Sequence, residues 1–323
     1  MKSWKKAGLT ALAGSLVAFS SAQAEWSAKG SASMTYVTHS GTTGDTELSG
    51  SPFGMNKDIT VSGSGELDNG WVVSASHTVD NGVASNSSLT VNFGAAGTLK
   101  YNMVDGSLGA GKIDNVMPTA YEEASDGATT GALSQISNGA TGFDYTITVE
   151  GIEVGIGYAP KGAAGATTQG GGVSGADAGA SEKSIYAQGS PMDGLTIGAG
   201  IGEGQNPDSI QNTDDESTMF VTYAYGPVTV GYQKTDIDVY SSTNDIDVTY
   251  YGIAYAINDD LSVSYNKIVE DTAGATYDLE YSGVSVGYSM GGMAIKAYVN
   301  EESGYGSATQ EVETTEISLS FAF

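Results

Sequence analysis

Apolar residues alternate with small or polar residues along most of this chain. In one segment Val228, Val230 and Tyr232 alternate with Thr229, Gly231 and Gln233. In the last segment the apolar positions are Ile317, Leu319, Phe321 and Phe323. Alternation with a period of two predicts a β-strand that has one apolar face and one polar face. The chain is therefore predicted to be all-β, with a sheet whose two sides differ in chemistry.

Sixteen segments of this kind can be counted, with turn residues between them. They are 25–38, 56–67, 70–80, 86–94, 97–104, 141–150, 152–160, 181–190, 194–202, 215–226, 227–238, 244–257, 260–271, 275–290, 292–302 and 311–323. Their connections alternate between short turns such as Glu150-Gly151 and longer loops, with one tight exception near 81–85. Short turns on one rim and long loops on the other are typical of a transmembrane barrel. We predict a 16-stranded antiparallel transmembrane β-barrel.

One segment breaks the alternation. Tyr277, Leu279 and Tyr281 occupy odd positions, whereas Val284 and Val286 occupy even ones. A β-bulge at Gly283 would bring both sets to the apolar face. We therefore predict a bulge there.

The N-terminal residues have the pattern of an export signal. Lys2, Lys5 and Lys6 precede an apolar run from Ala7 to Phe19, and Ala22-Gln23-Ala24 follows. A basic start, a short apolar stretch and a small-x-small exit are typical of a secretory signal peptide. The run is shorter than the roughly 20 residues that span a bilayer as a helix. We expect residues 1–24 to be a signal peptide and residues 25–323 to form one pore domain.

The last strand, which ends on Phe323, resembles the terminal strand of Gram-negative outer-membrane porins. In that family the terminal aromatic is thought to be read by the assembly machinery. The resemblance implies a general-diffusion channel in the outer membrane, in contact with lipid and lipopolysaccharide, and assembly as a homotrimer. It also implies that the third outer loop folds into the lumen and forms a constriction.

The charge of the chain is strongly negative. It has 12 basic residues, all of them Lys, against 38 acidic residues. Without the three lysines of the signal peptide, 12 − 3 leaves 9 Lys against 38 acids, a formal charge of −29. This balance argues against binding nucleic acid through a basic patch and favours cations as passengers or counter-ions. The alternative is that the acids keep surface loops solvated.

The third long loop, from Asp105 to Ala140, is also the longest, and loops of that length are usually functional or disordered. Its acidic residues are Asp105, Asp114, Glu122, Glu123 and Asp126, and Lys112 is its one base. The resemblance places a basic cluster, often Arg, opposite these acids, yet this chain has no Arg. By their parity, Lys29, Lys100 and Lys296 should point inward, whereas Lys234 and Lys267 should point outward. We expect mild cation selectivity.

A second acidic cluster surrounds the loop at 239–243. Hairpin pairing would place Asp236 opposite Asp247 and Asp238 opposite Asp245, all four facing outward. Like charges opposed on one face destabilise a sheet unless they are screened. A structural Ca²⁺ or Mg²⁺ ion could bridge them to lipopolysaccharide phosphates or to a neighbouring subunit. Solvated rim residues are the simpler alternative, and no other cofactor is expected.

We therefore expect an outer-membrane porin that passes small hydrophilic solutes down their gradients, filtered by size and charge. No Ser/His or Asp/His spacing indicates catalysis, and we expect no enzymatic activity. Two alternatives stay open. One is a substrate-specific channel, and the other is a secreted β-rich adhesin or surface-layer protein whose apolar faces would pair into a sandwich.

Overall fold

A computed structural model describes residues 25–41, 52–103, 107–128, 133–136, 141–160, 181–205, 212–240, 244–304 and 311–323. The expected signal peptide and Asp105 lie outside these ranges. No helix in the described ranges is both long and apolar enough to cross a membrane. Most of the described residues lie in β-strands, and the helical elements among them are two short 3-10 helices.

Sixteen strands form one closed antiparallel barrel, in which each strand pairs with its neighbours in sequence and β1 pairs with β16. Their bounds are β1 Glu25–Gly41, β2 Phe53–Glu66, β3 Val72–Asp80, β4 Val83–Asn92, β5 Thr98–Met103, β6 Gly142–Val149, β7 Ile152–Ala159, β8 Glu182–Met192, β9 Leu195–Gln205, β10 Thr213–Tyr225, β11 Val228–Asp238, β12 Ile246–Ala256, β13 Leu261–Thr272, β14 Leu279–Met290, β15 Met293–Ser303 and β16 Glu311–Ala322. The predicted strand number and barrel are confirmed. Closure leaves no free sheet edge, which excludes the open-edged sandwich considered above.

The C-terminal residue takes part in the closure. The Phe323 N–H donates to the Gly30 carbonyl at 2.9 Å, and the Gly30 N–H donates to the Phe323 carbonyl at 2.7 Å. Gly30 also makes room for the terminal ring, since a Cβ there would lie 2.7 Å from a carbon atom of the Phe323 ring. The alternating strand thus continues to the last residue of the chain.

The two faces of the barrel differ as the alternation predicts. On β16, Ile317 and Phe321 are 49% and 44% exposed, whereas Ser318 on the opposite face is buried. We call the side that carries the exposed apolar residues the outer face and the opposite side the inner face. Cross-strand partners share a face, so the register propagates this assignment around the wall.

β14 departs from the sequence prediction. Its pairing with β13 and β15 runs without interruption from Leu279 to Tyr288, so the predicted bulge at Gly283 is wrong. Tyr281 consequently lies on the inner face, where it is fully buried. Leu279 and Tyr281 belong to an apolar cluster with Met117 and Ala124 of the loop between β5 and β6, whereas Tyr277 is exposed.

Tight turns occur where the sequence predicts them. Between β6 and β7, Glu150 and Gly151 both have positive φ angles, 51° and 83°, as a two-residue hairpin requires. The exception near 81–85 has the same form, because Asn81 and Gly82 have φ angles of 49° and 90°. The β6–β7 pair keeps one register along its length, whereas the register of β3 and β4 shifts between Thr78 and Val79, close to the second turn.

Candidate functional site

The loop between β5 and β6 is described over Ser107–Ala128 and Leu133–Ile136 and contains a short 3-10 helix, Gly109–Ile113. Leu108, Ala110 and Ile113 are buried, although the segment is a connection rather than a strand. Their burial is explained by contacts between the loop and the inner face of the barrel.

The first attachment is at Asp144 of β6. Its carboxylate accepts a hydrogen bond from the Gly109 N–H at 3.0 Å and forms an ion pair with Lys112. Asp144 is only 2% exposed. A buried carboxylate needs a counter-charge, and Lys112 supplies it. The backbone also comes very close to the wall here, because a Cβ at Gly157 would lie 2.5 Å from the Gly109 nitrogen. Any larger residue at position 157 would push the loop away.

The second attachment is Gln233 of β11, which is fully buried. Its Nε2 atom donates to the Ile113 and Asp114 carbonyl groups at 2.8 and 2.9 Å. Its Oε1 atom accepts from the Val116 N–H at 3.0 Å. One amide side chain therefore holds both the end of the 3-10 helix and the start of the acidic segment, by which we mean residues 114–126.

An apolar contact follows. Met117 and Ala124 of the loop are buried in a cluster with four inner-face residues of β12, β13 and β14, which are Val248, Tyr250, Ile268 and Tyr281. Pro118 packs over Gly231 and Gly252, where a Cβ would lie 2.7 and 2.9 Å from Pro118 Cδ. The inner wall is thus shaped to receive this part of the loop.

The remaining attachments are hydrogen bonds from polar wall side chains to the loop backbone. Asn266 donates to the Pro118 carbonyl at 3.1 Å, and Asn300 donates to the Glu123 and Asp126 carbonyls at 2.7 and 3.0 Å. The Thr314 hydroxyl donates to the Gly127 carbonyl at 2.9 Å. Sequence reasoning missed these residues, because alternation identifies them only as members of a polar face.

The predicted carboxylates of the loop are partly buried. Asn115 links the turn, since its Nδ2 donates to Glu123 Oε2 at 2.5 Å and its Oδ1 accepts from the Met117 N–H at 3.1 Å. Burial, reinforced by the nearby Asp126 carboxylate, raises the pKa of Glu122 to about 7. Burial also raises the pKa of Glu123 to about 7, against the opposing effect of the Asn115 hydrogen bond. Burial raises the pKa of Asp114 as well.

The predicted wall lysines lie on the inner face. Lys29 pairs in register with Thr60, Lys100 with Asp144, and Lys296 with Ser318. The Lys296 ammonium group lies 4.9 Å from the centre of the Tyr121 ring, a cation–π distance. The Tyr121 hydroxyl in turn donates to Glu316 Oε1 at 2.7 Å. Lys112, the one base of the loop, forms an ion pair with Asp144.

The inner face of β1 to β4 is lined with hydroxyl groups, which the sequence analysis did not single out. Thr60 and Thr78 are hydrogen-bonded at 2.8 Å, and Ser76 and Ser88 at 2.9 Å. Small hydroxyl side chains leave space beside the wall and stay hydrated. This wall carries Lys29 as a base, and Asp58 and Asp80 are paired in register on it.

The rim aspartates are arranged partly as predicted. Asp236 and Asp247 are paired in register on the outer face, and the paired register of β11 and β12 ends at Ile237 and Ile246, one residue short of Asp238 and Asp245. On its other side Asp238 pairs with Asp215 of β10. Asp245 follows the loop and accepts a hydrogen bond from the Val239 N–H at 3.1 Å. Lys234 Nζ lies 2.7 Å from Asp236 Oδ1 and 3.0 Å from Asp247 Oδ1, so an ammonium group already bridges this pair. In the described part of the chain no three acidic, His or Cys residues are grouped to hold a metal ion, and the structural cation stays a prediction.

Comparison with known proteins identifies the family. The family model described as Gram-negative porin matches residues 8–323. Since this match covers nearly the whole sequence, the chain belongs to the Gram-negative porin family, and the resemblance noted in the terminal strand is confirmed. Porins of this kind are channels of the outer membrane, which is therefore the location of this protein. No curated protein matches the chain in sequence.

Solved structures show the same fold. A porin structure is 16% identical with a TM-score of 0.65 and covers 93% of this chain and 100% of its own. A loop-deletion mutant of OmpT, an outer membrane protein of Vibrio cholerae, is 13% identical with a TM-score of 0.64 and the same coverages, 93% and 100%. A variant of Rh. blastica porin is 16% identical with a TM-score of 0.62, again covering 93% and 100%. At these identities the likeness concerns the barrel alone.

Proposed function

We propose that this porin is a passive diffusion channel for small hydrophilic solutes and ions, mildly selective for cations, whose constriction is formed by the loop between β5 and β6. A barrel of 16 strands is wide enough to leave an aqueous channel, so something must restrict it. The attachments from Asp144 on β6 to Thr314 on β16 support this role for the loop, since they hold it against the inner face along much of the wall.

The observation that carries the proposed selectivity is the ion pair between Lys112 and Asp144. This one base of the loop is paired with Asp144, so it does not offset Asp114, Glu122, Glu123 and Asp126. In the part of the wall that the structure describes, the bases of the inner face that remain are Lys29, Lys100 and Lys296. Fixed carboxylates along a narrow passage raise the local concentration of cations and exclude anions.

Reversal potentials in planar bilayers under a KCl gradient test this proposal. We expect the zero-current potential to lie on the K⁺ side of zero at pH 8. The triple variant Glu122→Gln, Glu123→Gln, Asp126→Asn should move it towards zero. A matched control removes the same charge from short turns, with Asp68→Asn, Asp193→Asn and Asp259→Asn, and should change it little. A wild-type potential on the Cl⁻ side would contradict the proposal.

Liposome swelling separates general diffusion from the substrate-specific alternative. A general-diffusion channel passes sugars and amino acids at rates that fall smoothly with molecular size. A specific channel would pass one solute class faster than its size allows, and that solute would block the ionic current competitively. We expect the smooth dependence on size.

We also propose that residues 1–24 are removed on export and that the mature chain assembles as a homotrimer in contact with lipid and lipopolysaccharide. The exposed apolar outer face supports contact with hydrocarbon and neighbouring subunits. N-terminal sequencing of the outer-membrane protein should begin at Glu25. Light scattering in detergent should give three times the mass of the mature chain, and a monomeric mass would contradict the trimer.

A further inference from the structure

We propose that Gln233 is the positioning residue of the channel: its amide fixes where the acidic segment of the loop stands and thereby sets the steadiness and selectivity of the pore. The inference rests on the proposed function, because it assigns a role within the same constriction. Gln233 lies in the middle of β11 on the inner face, paired in register with Phe220 on one side and Tyr250 on the other. All three side chains are buried.

The hydrogen bonds of Gln233 distinguish it from the other attachments. Each of the other attachments acts on the loop backbone in one direction. Asn266, Asn300 and Thr314 donate to carbonyl groups. The wall side chains that accept from loop N–H groups are Asp144, Ser184, Ser264, Ser285 and Glu270. Gln233 acts both as a donor, to Ile113 and Asp114, and as an acceptor, from Val116. A neutral amide can do both at once, through two atoms of one planar group. It therefore defines the direction of the backbone as well as its distance from the wall.

The hydrogen bonds of Gln233 act on the part of the loop where the acidic segment begins. They hold the backbone of Asp114 and Val116, the two residues on either side of Asn115. Asn115 then binds the Glu123 carboxylate through its Nδ2 atom. A hydrogen-bonded path thus leads from the barrel wall through the turn at Asn115 to a carboxylate of the acidic segment.

The wall around Gln233 reserves space for this arrangement. Thr218 Oγ1 lies 2.9 Å from Gln233 Nε2 and shares the two N–H groups of the amide with the two loop carbonyl groups, which orients the amide from the β10 side. Gly231, two residues earlier on the same face, leaves room for Pro118. Without the amide, two carbonyl groups and one N–H of the loop would lose their partners in a buried place, so the loop would leave the wall to regain water.

The test compares Gln233→Met, which keeps length and removes both polar functions, with the wild type. We expect open-channel current noise to rise about threefold, with brief partial closures, and the K⁺ to Cl⁻ permeability ratio to fall about twofold. Gln188→Met is the matched control, since Gln188 lies on the inner face of β8 and bonds Glu153 of the neighbouring strand at 2.9 Å. The heat-induced gel shift and melting temperature establish that each variant forms a barrel.

Gln233→Glu adds a readout that a purely structural role would not give. The carboxylate introduced by this substitution can accept from the Val116 N–H but repels the Ile113 and Asp114 carbonyl groups. Once protonated, the new carboxyl group can donate again. Relative to the wild type at each pH, the noise of this variant should be high at pH 8 and fall towards the wild-type level at pH 5, whereas Gln233→Met should stay noisy at both.

Asn115→Ala removes the hydrogen bond between Asn115 and Glu123. Because Asn115 lies in the loop, this variant tests the proposal even where a substitution in the barrel wall hinders folding. It should lower the permeability ratio as Gln233→Met does. The proposal is overturned if folded Gln233→Met and Asn115→Ala both keep wild-type noise and selectivity, or if Gln233→Glu shows no recovery at pH 5. Failure of the proposed cation selectivity would appear separately, in the sign of the wild-type reversal potential.

Discussion

Lys112 of the loop and Asp144 of β6 form an ion pair in which Asp144 is 2% exposed, and the same carboxylate accepts a hydrogen bond from the Gly109 N–H. The one base in the loop is therefore a structural attachment at its first turn. This pairing leaves the acidic segment that follows without a basic partner of its own in the loop.

Removal of the Lys112 ammonium group should loosen the start of the loop. Lys112→Met leaves Asp144 buried without its counter-charge, which costs up to about 3–5 kcal/mol for a fully buried pair. Because the Lys112 side chain is 31% exposed, we expect a smaller loss. Proteinase K cleavage within the loop should become faster while the barrel stays intact. The double variant Lys112→Met, Asp144→Asn should recover part of the resistance, and equal cleavage in all variants would contradict the attachment.

Selectivity should depend on pH near neutrality. The pKa values of Glu122 and Glu123 are raised to about 7, so both groups are charged well above pH 7 and neutral well below it. The K⁺ to Cl⁻ permeability ratio should fall as the pH is lowered from 8 to 6. Lowering the pH from about 7 towards 4.5, the ordinary pKa of a Glu carboxyl, should also stabilise the folded loop, because its carboxyl groups bind protons more tightly than those of an unfolded chain. Reversal potentials measured at each pH check this, and Glu122→Gln, Glu123→Gln should abolish the dependence.

The Lys234 bridge at the outer rim should be sensitive to salt. Lys234→Met leaves Asp236 and Asp247 opposed on one face, which we expect to lower barrel stability by about 0.5–1 kcal/mol at low ionic strength. Salt should reduce the loss by screening. Mg²⁺ at millimolar concentration should restore stability further if a divalent cation can occupy this place. Melting curves with and without a chelator measure both effects, and Lys57→Met on the outer face of β2 is the control.

Pro118 packs against two glycines of the wall, Gly231 and Gly252. These glycines should determine how close the loop lies to the wall. The double variant Gly231→Ala, Gly252→Ala places Cβ atoms 2.7 and 2.9 Å from Pro118 Cδ, so the loop must move away from the wall. We expect single-channel conductance to fall by about one third, because the loop then occupies more of the passage. Gly189→Ala, where the nearest atom would lie 3.2 Å away, is the control. Unchanged conductance in the double variant would argue against contact between Pro118 and this part of the wall.

The sequence alone was sufficient for the architecture, for a local reason. Alternation along a segment such as 315–323 indicates the two faces of a strand directly, and each strand can be identified from its own residues. The same parity placed Lys29, Lys100 and Lys296 on the inner face, and pairing across a hairpin placed Asp236 opposite Asp247. It failed at Tyr281, where an apolar residue on the inner face packs against a loop distant in sequence.

What the sequence determined by itself was the set of short-range facts: sixteen strands, their two faces, the family signature in the last one and the excess of acids. Only the tertiary structure decided which polar groups meet, because the contacts between loop and wall join residues distant in sequence, 32 positions apart for Lys112 and Asp144 and 120 for Ile113 and Gln233. A polar residue on an alternating strand has the same pattern whether it faces water or holds a backbone carbonyl group. That choice depends on the path of the loop, which no periodicity records.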